Sequence, residues 1–139
     1  MKTKDTEDTE DTKEIELNRD VELRSKILGL SGEYSGGCES FEIGVAQLKE
    51  LFDNNFIEPL SRHNDAPENE EILGFMEAYP DFKAGGYAVS PERHDYRVSI
   101  DRIVLDRKPT PDEMIEFTQM CRYADEFQCD LTGCFAWFD

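Results

Sequence analysis

The chain has 139 residues, 38% of them hydrophobic, which is enough for one packed core and excludes disorder of the chain as a whole. Its 32 acidic residues against 15 basic ones give a formal net charge of −17 and disfavour direct binding to nucleic acid or anionic lipid. Lys2, Lys4 and Lys13 against seven acids leave −4 on residues 1–16, so −13 remains on the rest.

Residues 1–14 read as a disordered acidic tail, because the Thr-Glu-Asp repeats contain nothing apolar to offset the entropy of ordering. Residues 15–139 read as a single α+β domain. The first residues lack the apolar stretch of a signal peptide, and no apolar run approaches the roughly 20 residues of a membrane span. The expected location is the cytoplasm, with no membrane association, and the four cysteines are expected there as free thiols.

Residues 15–28 fit either a strand or a helix, and Gly29 as a C-cap favours the helix. The small-residue stretch 31–38 reads as a loop. Val45, Leu48, Phe52 and Phe56 recur at helical spacing until Pro59. A second helix is expected to open at an Asp65–Glu68 capping box and to close at Pro80.

The period then changes to two. Residues 86–89 and 96–105 form a β-hairpin around a six-residue turn, Ser90 to Asp95. Tyr96, Val98 and Ile100 have the opposite parity to Ile103 and Leu105, which requires a bulge near Asp101–Arg102. Gly36–Gly37 and Gly85–Gly86 read as turn glycines, since neither pair sits in a phosphate-binding motif. Thr110-Pro111-Asp112-Glu113 is a capping box with Pro at the first helical position. The helix after it should bury Met114, Phe117, Cys121 and Ala124, with Phe127 near its end. Residues 134–138 form a last strand. The fold class is α+β: a small antiparallel sheet, made of hairpin 86–105 and strand 134–138, packed against three or four helices.

Chemistry is thinly signalled. The spacings among Cys38, His63, His94, Cys121, Cys129 and Cys134 do not match a structural zinc motif. A Cys129–Cys134 disulfide is geometrically possible but disfavoured in a reducing compartment. Cys38 could be activated by His63 or His94, although Glu33, Glu39 and Glu42 would raise its pKa. At the hairpin tip, Glu92, Arg93, His94 and Asp95 form a possible contact point in which Asp95 could orient His94. Asp125, Glu126 and Asp130, at the end of the last helix, make an acidic patch with Trp137 and Asp139 suited to a basic partner. Strand alternation instead assigns Trp137 to the core. No motif implies a cofactor or a metal.

These features favour a small binding protein for a basic protein partner, such as an inhibitor or immunity-type module, or a mimic of nucleic-acid charge. The alternative is a small enzyme or metal-dependent hydrolase using Cys38 or His94 with neighbouring carboxylates. Oligomeric state leaves no trace in the sequence.

Overall fold

In the computed structural model, which describes residues 15–139, α1 (Val21–Leu28) leads into β1 (Cys38–Ile43), α2 (Val45–Asp53) and α3 (Asn69–Ala78). The hairpin β2 (Lys83–Val89) and β3 (Val98–Leu105) follows, then α4 (Pro111–Met120), β4 (Glu126–Asp130) and β5 (Gly133–Trp137). The five strands form one antiparallel sheet in the order β1-β2-β3-β5-β4. The expected acidic tail, 1–14, lies outside the described residues. Among those described, no helix is long and apolar enough to cross a membrane.

The strand registers put Phe41, Ile43, Ala84, Ala88, Val98, Ile100, Ile103, Leu105, Cys134 and Ala136 on one face of the sheet. All are buried, in one cluster with Ile27 and Leu28 of α1, Leu48 and Leu51 of α2, Phe75 and Met76 of α3, and Phe117 of α4. The helices therefore cover that face. Ser40, Glu42, Tyr87, Arg102, Val104, Phe135 and Trp137 have the opposite parity and stay exposed or half-buried.

The α+β class and the helix-covered antiparallel sheet agree with the sequence. So does the bulge: Gly85 pairs with Arg102 and Gly86 with Ile100, leaving Asp101 as the extra residue. The ambiguous segment 15–28 contains a helix, capped by the Asp20 carboxylate on the Leu23 N–H and ended by Gly29 in the left-handed region.

Several expectations are corrected. The sheet has five strands instead of three. Cys38 lies at the start of β1 and not in a loop, and β4 replaces the expected continuation of the last helix. Phe127, Glu126 and Asp130 therefore belong to a strand, with Asp125 just before it. Met114 faces outward, because the inward turn of α4 is taken by Glu113 and Phe117. α3 starts at Asn69 without a side-chain cap. Its first N–H groups bond the Ser61 and Pro59 carbonyls, so a folded-back loop does what the Asp65–Glu68 box was expected to do. Gly85 and Gly86 lie inside β2, not in a turn. A Cβ on Gly86 would overlap the Ser99 carbonyl oxygen, so the bulged strands approach too closely for any side chain there.

Candidate functional site

Two regions concentrate the chemistry. The first is the edge formed by α4, β4 and β5. The Thr110 hydroxyl accepts from Glu113 N (3.2 Å) and the Glu113 carboxylate accepts from Thr110 N (2.8 Å), completing the capping box. With Glu113 and Phe117 turned inward, Met114 and Ile115 are left on the surface between Asp112 and Glu116. A shallow groove runs along Met114, Ile115, Glu116, Thr118 and Gln119. Among the described residues β4 is bonded only to β5, and no described strand pairs with its other edge. Phe127 stacks on Phe117 with ring centroids 5.4 Å apart, yet remains 43% exposed, since no described element lies beyond this edge.

The expected acidic patch is here, in part. Asp125 N donates to the Trp137 carbonyl (2.9 Å), and its carboxylate accepts from Asp139 N (2.7 Å). Glu126 sits directly opposite Trp137. Trp137 belongs to the outward face and pairs with Arg102 on its other side, so it is half-buried and outside the core. Asp130 is separated from this group by the length of β4, about 13 Å at strand rise. It accepts from the Thr132 hydroxyl and N–H at the turn, and those bonds hold its carboxyl below the usual range.

The hairpin tip is an ion pair and not a histidine dyad. Asp95 accepts from Arg93 (2.7 and 2.8 Å) and from Arg97 (3.2 Å), so its carboxylate orients two arginines instead of His94. These bonds lower the Asp95 pKa and raise that of Arg93, the Arg93 contact contributing most. Glu92 and His94 are exposed on this loop. Arg93 Nη1 lies 3.9 Å from Cys38 Sγ, and it is this guanidinium that approaches Cys38 where a histidine was expected.

The second region is a pocket of about 300 Å³ where the loop after α2 folds over β2 and β3. Tyr87 and Ser99 are directly opposite each other, and Arg97 shares their side of the sheet. Arg97 Nε donates to the Ser99 hydroxyl (2.9 Å) and Nη2 to the Tyr87 hydroxyl (3.0 Å). The same Tyr87 oxygen lies 3.3 Å from His63 Nδ1, with the rings edge to face. Arg62, Asn64, Asn69 and Glu58 complete the polar lining. Such a pocket offers N–H and O–H donors to a small oxygen-rich group.

Sequence reasoning missed His63–Tyr87–Arg97–Ser99 and the outward pair Met114–Ile115. Strand parity could have joined Arg97, Ser99 and Tyr87, but nothing local brings His63 to them. Cys121 is buried, and burial pushes its thiol up to about 12. Cys129 and Cys134 face each other across β4 and β5 with sulfurs 3.4 Å apart. No protein-family model, curated protein or solved structure matches the chain.

Proposed function

We propose that the protein is an interaction module that binds a basic protein partner across α4 and β4. The observation that carries this reading is the exposed Met114–Ile115 strip of α4, the helix whose Phe117 stacks on Phe127 of the edge strand β4, on an acidic chain. Much of the cationic complement is already engaged: Lys49, Arg93, Arg97, Arg102 and Arg107 are in ion pairs and Arg24 is buried. Asp112 and Glu116 flank the strip on α4, with Lys108 before the helix and Arg122 after it, while Glu126 and Asp130 project from the other face of β4; the excess of carboxylates attracts lysines and arginines and repels phosphate backbones. Apolar anchors within a charged rim are the usual anatomy of a specific interface. An extended basic segment could also add to the open edge of β4 by main-chain hydrogen bonds.

The test compares wild type with the triple charge reversal Asp112→Lys, Glu116→Lys, Glu126→Lys in binding to a lysine-rich strand-forming peptide and to lysate captured at rising salt. Expected are peptide binding that weakens with salt and proteins retained by wild type alone. Equal retention by both, or affinity insensitive to salt, would overturn the reading.

A second reading rests on the His63–Tyr87–Arg97–Ser99 pocket: binding of a small carboxylate or phosphate compound. Arg97→Ala should then abolish a ligand-induced rise in melting temperature that wild type shows with citrate or phosphate.

A further inference from the structure

Cys129 and Cys134 are paired directly across the β4–β5 hairpin, and their sulfurs are 3.4 Å apart as free thiols. Residues directly opposite in an antiparallel pair have Cα atoms about 4.5 or 5.5 Å apart, and both values fall within the range that a disulfide spans. The hairpin is held in that register at the turn beside the pair. Asp130 fixes the turn through Thr132, and Gly133 lies so close to the Leu105 carbonyl that a Cβ there would overlap it. Closing the sulfur gap therefore needs side-chain rotation with little movement of the strands. The two thiols also differ in access: Cys134 is buried, whereas Cys129 is half-buried on the edge strand next to the exposed Leu131.

We propose that this pair is a reversible dithiol–disulfide site, oxidised by a small-molecule disulfide such as oxidised glutathione. The Cys129 thiolate attacks one sulfur of glutathione disulfide, forming a mixed disulfide and releasing one glutathione thiolate. Cys134 loses its proton and attacks Cys129 Sγ, forming the Cys129–Cys134 bond and expelling the second glutathione. Two electrons pass from the protein to glutathione, and the two thiol protons end on the two released thiols. Burial, reinforced by the Cys129 contact, pushes the Cys134 thiol up to about 12 in the dithiol, which favours entry at Cys129. The site is independent of the partner reading, since it requires neither a partner nor the acidic surface.

The test incubates the native full chain with oxidised glutathione, then counts thiols and maps linked peptides by mass spectrometry. Wild type should lose two of its four thiols and two hydrogen masses, with residues 129 and 134 linked, and a reductant should restore both. Cys134→Ser should stop at a glutathione adduct on Cys129, Cys129→Ser should leave Cys134 unmodified, and Cys38→Ser should still form the link. Cys134→Ala serves if the serine variant fails to fold. An unchanged thiol count, a persistent adduct on Cys129 in wild type, or a link involving Cys38 would overturn the proposal.

Discussion

Two arginines at opposite ends of the β2–β3 hairpin are held by opposite means. Arg24 on α1 has no exposed surface, and among the described residues no carboxylate bonds it. Its Nη2 donates to the Val89 carbonyl (2.8 Å) and the Tyr34 hydroxyl (3.0 Å), and its guanidinium lies 4.4 Å from the Tyr96 ring centroid. Arg19 lies 4.3 Å from the same ring, while Arg24 Nε has no hydrogen-bond partner among the described residues. Arg107, before α4, is exposed and clamped by formal charge: two bonds to Glu113 (2.8 and 2.9 Å) and two to Asp81 (2.9 and 3.1 Å). The first cation is part of the packing, held by carbonyl dipoles and π faces. The second is an electrostatic latch joining the start of α4 to the segment before β2. Packing and charge should therefore fail under different perturbations.

The largest effect is expected at Arg24. Arg24→Ala leaves a void and strands the Val89 carbonyl, and should cost about 3–5 kcal/mol in urea denaturation. Arg24→Met, which keeps the volume, should recover a good part of that loss. A cost below about 1 kcal/mol for the alanine variant would remove the contrast. Next is Glu113→Ala, at about 2 kcal/mol, because it breaks the Arg107 clamp and half of the capping box together. The Arg107 bonds, chiefly, depress the Glu113 carboxyl to about 2 from an ordinary value of 4.5. A depressed folded-state pKa means that this stability is complete above about pH 5 and is lost as pH falls toward 2. The wild-type advantage over Glu113→Ala should shrink across that window. An advantage independent of pH would place the effect in packing instead. Thr110→Ala removes only the other half of the box and should cost about 1 kcal/mol, read from the same denaturation curves. Smallest is Arg93→Ala: its pair with Asp95 is partly exposed and Arg97 also bonds that carboxylate, so the denaturation midpoint should move less than in Thr110→Ala.

These contrasts follow what was legible in the sequence. The capping box at Thr110 is local chemistry, with all its determinants inside four residues, and it was readable directly. The bulge at Asp101 was equally readable, because a change of parity in a buried strand has one remedy. Arg24 was not, since an arginine on a short helix normally projects into water, and Tyr34, Val89, Tyr96 and Arg97, from other segments, enclose it here. β1 carried a usable alternation, Phe41 and Ile43 inward against Ser40 and Glu42, but the glycines before it suggested a loop. β4 carried almost none, because an edge strand buries little on either face. The same reason hid the outward face of α4 and the histidine of the pocket: each depends on which segments meet, and that is decided far along the chain.

The pairing of β1 with β2 bears on how the chain folds. Ile43 meets Ala84 and Cys38 meets Val89, contacts that must close loops of about forty to fifty residues, whereas β2–β3 and β4–β5 zip from short turns. Entropy should make those two hairpins early structure and the arrival of β1 the late, rate-limiting event. The sheet would then open from the β1 side first, and native-state amide exchange should find its protection weakest there.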